Sequence, residues 1–239
     1  MKHRLYLSSP LKVGALVTLD AERSHYLTRV LRLKADIEIL CFDGAGREFH
    51  AYIRDANTKA SLLEVGEQSR VEASPAERIH LAQSVLKGSA MDRAIQKATE
   101  LGATDLWPIL AQRSNAKADG LRKARKHRHW QRIIQSASEQ SRRLFLPELH
   151  QPVTLAAFLT ESRVAQKLFL DIDEEVLPMV IPRQSTALLI GPEGGWSASE
   201  REIAKTHGAL GFSLGEFVLR AETVPLAALA ALRQAWGWR

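Results

Sequence analysis

Residues 79–110, IHLAQSVLKGSAMDRAIQKATELGATDLWPIL, restrict the fold more than any other stretch of the chain. An apolar run from Ile79 to Leu86 reads as a strand, and a second run ends at Leu110. Between them Met91, Ile95 and Ala98 recur at helical spacing, Ser89 stands at a capping position with Asp92 three residues on, and Gly102 supplies the stop. Strand, helix and strand in this order form a crossover unit with parallel strands, and a parallel sheet needs helices over both faces.

The same texture continues to the end of the chain. A long basic helix around HRHWQRIIQSASEQ is followed by strands KLFLDID and TALLIG, helix SASEREIAKTHG, short strand GFSLG and the final helix TVPLAALAALRQAWG. Before residue 70 the texture differs. KVGALVTL, ADIEILCFDG, REFHAYIRDA and ASLLEVG are short strand-like runs separated by turn signals, which points to a small β-barrel. One amphipathic segment interrupts them: RSHYLTRVLRLK sets Tyr26, Val30 and Leu33 on one helical face and His25, Arg29 and Arg32 on another. The polar stretch GEQSRVEASPAER reads as a linker. The expected domains are therefore 1–71, a β-barrel, and 76–239, an α/β domain with a parallel sheet.

With 45% hydrophobic and 25% charged residues, the chain has the composition of a core-forming protein. No run approaches the roughly 18 apolar residues of a membrane helix, and the basic N-terminus lacks the apolar stretch of a signal peptide, so a cytoplasmic location is expected. The single cysteine, Cys41 in EILCF, has no disulfide partner and no companions for a metal site. It reads as a core residue, because a catalytic thiol needs a base partner. The net charge of +6 is unevenly placed. Residues 113–143 hold ten Lys or Arg against the acids Asp119 and Glu139. Such a run suits either a solvated helix face or a polyanion, and its arginines with Trp130 among them favour nucleic acid.

Within LLIGPEGGWSASE, residues 188–200, the glycine turn follows a buried strand, at the end of an open sheet where ligands bind. G-P-E-G-G-W is neither a P-loop nor a dinucleotide fingerprint. Glu193 inside it would repel a pyrophosphate, and Ser197 with Glu200, or Ser199 with Glu202, forms a capping box that uses the helix's free amides. A neutral or cationic ligand is favoured over a phosphate, with a ligand-free structural turn as the alternative. A second strand-end segment, LGEFVLRAETVPLAAL, lies about twenty residues downstream. It is placed to share the pocket, and its Arg220 and Glu222 are either pocket groups or a structural ion pair.

Taken together, these motifs resemble a known family. Lys87-Gly88, Met91-Asp92, Lys97, Thr99-Glu100-Leu101-Gly102, Gln112-Arg113-Ser114, Glu139-Gln140-Ser141 with Arg143, Gly191 to Gly195, Leu214-Gly215 and Leu219-Arg220-Ala221-Glu222-Thr223 follow the order of the RsmE-type ribosomal RNA methyltransferases. These are uracil-N3 methyltransferases of the SPOUT superfamily. His25-Tyr26-Leu27, Val30-Leu31-Arg32 and Phe42-Asp43-Gly44 extend the resemblance to that family's PUA-like N-terminal barrel. Three positions depart from the pattern: Phe217 where a basic residue is usual, and Arg142 and Ala35 where glycines are usual.

The resemblance implies S-adenosylmethionine as methyl donor, 16S ribosomal RNA or the small ribosomal subunit as substrate, a homodimer, and a C-terminal trefoil knot. No metal and no membrane partner is expected. The expected cofactor residues are Leu170, Ile190, Gly191, Glu193, Gly194, Gly195, Leu214, Gly215, Val218, Leu219, Arg220 and Thr223. The expected catalytic residues are Arg220, to stabilise charge on the uracil carbonyls, and the carboxylates Glu193 and Glu222 as candidate bases. The expected RNA-binding residues are Arg4, His25, Arg29, Arg32, Arg113, Arg132, Arg142 and Arg143.

Two other functions fit parts of the pattern: a non-catalytic RNA-binding protein of ribosome assembly, and a SPOUT enzyme that methylates the ribose 2′-oxygen. The latter's Asn-Glu-Gly and Ser-Leu-Asn motifs are absent. A dehydrogenase shares the α/β texture but lacks its glycine fingerprint.

Overall fold

The computed structural model describes residues 3–8, 11–114, 120–176 and 180–237. The chain forms two compact units, Met1–Ser74 with Ser138–Leu146, and Pro75–Ala137 with Pro147–Arg239.

The first unit contains β1 (Arg4–Tyr6), β2 (Leu16–Thr18), α1 (Ala21–His25), a π-helical turn (Tyr26–Val30), β3 (Glu38–Phe42), β4 (Arg47–Asp55) and β5 (Leu62–Val71). They make one sheet in the order β1-β3-β4-β5-β2, antiparallel except for the β1–β3 pair. Leu5, Ile39, Cys41, Ala51, Ile53, Leu63 and Val65 supply its core, and Leu27 of the π-turn belongs to the same cluster. Burial pushes the Cys41 thiol up to about 12, which fits a core residue and not a nucleophile.

The structure corrects the reading of residues 23–34. The helix starts at Ala21, where the Asp20 side chain accepts a hydrogen bond from the Arg23 N–H. From Tyr26 the turn widens: the Leu31 N–H donates to the Tyr26 carbonyl, five residues back. That widening shifts the side chains in phase. Tyr26 and Val30 are 40% and 58% exposed, while Ser24 and Leu27 are buried. The expected linker is corrected too, since β5 extends to Val71 through the polar stretch.

Residues 138–146 return to this unit. The Gly46 N–H donates to Leu144 and the Leu146 N–H donates to Gly44, around the bridge between Ala45 and Phe145. Arg4, expected to bind RNA, is instead a buried structural cation. Its guanidinium donates to Glu48 (2.7 Å) and to the carbonyls of Ser138, Glu139 and Arg143, so no face of it is left for phosphate. Glu139 is likewise structural: its carboxylate accepts the Tyr6 N–H, and burial pushes its pKa up. Arg142 takes the glycine position of the family pattern with φ +61°, a left-handed conformation that a side chain adopts at a cost. The third departure differs, because positive φ falls on Asp36 and not on Ala35.

The second unit holds β6 (Ile79–Ser84), α2 (Ser89–Glu100), β7 (Asp105–Ile109), most of α3 (Gly120–Ser141), β8 (Glu148–Leu149), α4 (Leu155–Glu161), β9 (Gln166–Leu170), β10 (Thr186–Ile190), α5 (Ala198–Thr206), β11 (Leu210–Phe212) and α6 (Val224–Ala235). The sheet order is β11-β9-β10-β6-β7-β8, with every pair parallel. β10 is buried at all five positions, as a central strand covered on both faces must be. Met91, Ile95 and Ala98 of α2 are buried as the spacing predicts. Ser89 is not the cap, however. Gly88 takes that position at φ +53°, and the Ser89 hydroxyl accepts from Arg93.

At the amino ends of β6 and β7 lies a polar cluster. Asp105 is buried, and it accepts from Arg78 at 2.6 and 2.8 Å, from Thr104 and from His150. Burial opposes its charge, but these hydrogen bonds win and hold its pKa well below the usual carboxylate range. No described helix is long and apolar enough to cross a membrane.

Candidate functional site

The carboxyl ends of β9, β10 and β11 open into a cavity of about 370 Å³ within the second unit. Parallel strands that end together leave such a crevice, which the loops after them must enclose.

The first wall is the turn after β10. Trp196 anchors it: the indole is buried, donates to the Leu170 carbonyl at 3.2 Å and stacks on Phe169 with centroids 5.1 Å apart. Gly191 lies against that ring, where a Cβ would come within 3.1 Å of it. Gly195 has φ +66°, which allows the chain to turn back into α5. Ser197 and Glu200 form the capping box, the first of the two pairings considered. The second oxygen of Glu200 accepts the Gln112 N–H, and Arg113 donates to the Gly194 carbonyl at 3.1 Å. The turn is thus held from three directions by protein groups.

The second wall is the loop after β11, with Leu214, Gly215, Phe217, Val218 and Leu219 on the cavity. Gly215 has φ +108°. Phe217 and Val218 are 78% and 82% exposed.

Leu170, Ile190, Gly191, Glu193, Gly194, Gly195, Leu214, Gly215, Val218 and Leu219 are thus gathered around one cavity. Arg220 and Thr223 are not among its lining residues; both side chains face solvent, and the Thr223 N–H donates to the Arg220 carbonyl. Glu222 is also off the cavity, paired with Arg93 at 3.1 Å. Hydrogen bonds from its own backbone N–H and from Arg93 lower its pKa. Of the candidate bases only Glu193 lines the cavity, with its carboxylate near the Lys87 N–H at 3.3 Å.

Sequence reasoning missed Trp196, Asp171, Arg201, Phe212 and Ser213 as lining residues, and it assigned Arg113 only to RNA. Trp196 was legible in principle, since a large apolar ring between a glycine turn and a capping box must be buried somewhere. Asp171 carried no signal, because its bidentate partner Arg201 (2.5 and 3.0 Å) lies thirty residues away.

Among the described residues, the charged side chains of the cavity are Arg113, Arg201, Asp171 and Glu193, two of each sign. Such a lining is poorly matched to a polyphosphate. It suits a ligand that carries both charges, on apolar walls made by Leu170, Ile190, Leu214 and Leu219.

The remaining arginines are on the surface. His25, Arg29, Arg32 and Arg142 are exposed in the first unit and Arg132 is exposed on α3, while Arg143 is half-buried. Trp130, which favoured nucleic acid by its place in the basic run, is buried. Lys117 and Asp119 of that run lie outside the described residues. Asp105, Glu148 and His150 bring three potential metal ligands together, but both Asp105 oxygens already accept from Arg78.

A family model described as an RNA methyltransferase domain matches residues 72–233, and one described as an RNA methyltransferase PUA domain matches residues 19–66. The chain is 35% identical to ribosomal RNA small subunit methyltransferase E of Synechocystis, over 97% of this chain and 77% of that protein. Among solved structures, a Legionella pneumophila methyltransferase in complex with S-adenosylmethionine superposes with a TM-score of 0.92 at 34% identity, covering 98% of each chain. The small subunit methyltransferase E of Neisseria gonorrhoeae, bound to S-adenosylmethionine, gives 0.89 at 30% identity, over 99% of this chain and 98% of that one.

Proposed function

The chain belongs to the RsmE-type family of RNA methyltransferases, and from that premise we propose that it methylates N3 of a specific uridine in 16S ribosomal RNA, with S-adenosylmethionine as donor. One observation carries the reading: two strand-end turns enclose a cavity with apolar walls and balanced charges instead of a phosphate cradle. The cofactor supplies a methyl on a cationic sulfonium, which becomes a neutral thioether when the methyl leaves. Gly191, Gly194 and Gly195 let backbone approach it, Leu170, Ile190, Leu214 and Leu219 hold its apolar parts, and Glu193 favours its positive charge.

The residues' main work is to orient two reactants and exclude water. The uracil N3 proton leaves as the new N–C bond forms, and we assign its acceptance to Glu193 because, of the candidate carboxylates, it is the one that lines the cavity. Glu222 acts through Arg93 to hold the second loop, and Arg220 contacts the RNA or the uracil carbonyls from outside the cavity. His25, Arg29, Arg32, Arg113, Arg132, Arg142 and Arg143 bind phosphate, so affinity for RNA falls steeply with salt. We further propose that the enzyme is a cytoplasmic homodimer and that its C-terminal segment is threaded into a trefoil knot.

Mass mapping of 16S ribosomal RNA or small subunits after incubation with labelled donor tests the reaction. Label is expected on N3 of one uridine. Label on a ribose would favour 2′-O-methylation, and no label with intact RNA binding would favour an assembly factor. Glu193→Gln and Arg220→Ala are expected to lower turnover with cofactor binding retained; near-normal turnover would remove those roles.

A further inference from the structure

Five of the seven phenylalanines, Phe42, Phe49, Phe158, Phe169 and Phe212, are buried and Phe145 is half-buried, yet Phe217 is 78% exposed. It lines the cavity while most of its ring faces outward, next to the equally open Val218. Among the described residues, the ring at the mouth of the cavity stays mostly uncovered.

The volume decides what it meets. Ligand pockets span about 300–1,000 Å³, and at about 370 Å³ this one has room for a single small ligand. A transfer reaction has two reactants. If the donor fills the interior, the acceptor must meet it at the mouth, where Phe217 stands.

We infer that Phe217 is the platform on which the target uracil stacks. The inference rests on the methyltransferase reading above. A base drawn out of an RNA helix loses its stacking neighbours, and an aromatic side chain replaces one of them. The neutral ring serves any base, so it positions the uracil without selecting it. Arg113, exposed on the same cavity, supplies a cation for a phosphate of the same nucleotide. Where the family pattern has a basic residue, this chain therefore exchanges a charge contact for a stacking contact.

The test compares wild type, Phe217→Ala and Phe217→Trp in methyl transfer to 16S ribosomal RNA, with donor affinity by calorimetry and mass by light scattering. Base–aromatic stacking of the usual strength corresponds to roughly ten-fold or more in affinity. The expected result for Phe217→Ala is therefore a fall of about ten-fold in kcat/KM for RNA, with donor Kd and particle mass unchanged. Phe217→Trp restores most of the loss. Unchanged kcat/KM overturns the inference. So does a parallel loss of donor affinity, which would make Phe217 a cofactor wall, or a change of mass, which would make it a contact between copies. If wild type itself transfers no methyl group, the methyltransferase reading fails and the stacking role fails with it.

Discussion

The two walls of the cavity are built on opposite principles. The turn from Gly191 to Trp196 is braced by a buried indole, by a capping box and by the Gln112-Arg113 segment. The loop from Leu214 to Leu219 presents two large apolar side chains to solvent. The braced turn is complete without a ligand. The open loop leaves apolar surface uncovered, which is the behaviour expected of the more mobile half of a site. A methyltransferase needs both, since the donor must be held in one orientation while a large RNA comes and goes.

The largest effect expected is that of Trp196→Ala. Truncating a fully buried tryptophan costs about 3–5 kcal/mol, read as a lowered urea midpoint, and donor binding falls with it because Gly191 and Leu170 lose their support. An unchanged midpoint would mean that the turn is held by something else.

Next in size is acid destabilisation, and it arises at the far end of the sheet. Asp105 has a folded pKa below its unfolded one, so its contribution is present above about pH 4 and is lost as pH falls through the folded value. A carboxylate bound this tightly contributes about 2–3 kcal/mol. Burial lowers the pKa of His80, which binds its proton more readily when unfolded, so stability already declines below about pH 6.5. Urea midpoints should fall first below about pH 6.5 and begin to fall again below about pH 4, and a flat profile between pH 8 and 3 would remove the cluster's role.

Ser197→Ala should cost about 1 kcal/mol through loss of the cap, and it tests whether the braced turn depends on α5. The smallest effect belongs to the open loop. Phe217→Ala should change stability by less than about 0.5 kcal/mol, in contrast to its effect on RNA turnover.

What the sequence revealed follows from how local each cause is. The crossover unit of residues 79–109 and both strand-end turns were legible because apolar runs, a glycine and a capping pair lie within a few residues of one another. α4 was missed: it has only seven residues, and its cap, Thr154, sits in a stretch with no strong period. The extent of the helix before Val30 was misread because a π-turn breaks the 3.6-residue period on which the reading relied. Arg4 was read as a surface group because charge does not reveal burial, which here depends on residues more than a hundred positions away. The glycine pattern carried information even where it was broken, since Arg142 has positive φ at a position where glycine is usual.

Hydrogen exchange of the two walls, with and without S-adenosylmethionine, tests the account most directly. It predicts that residues 191–200 are protected in the free protein and change little, while residues 214–219 gain strong protection when the donor binds. If donor binds and neither segment responds, or protection appears instead away from the ends of β9, β10 and β11, the site has been put in the wrong place.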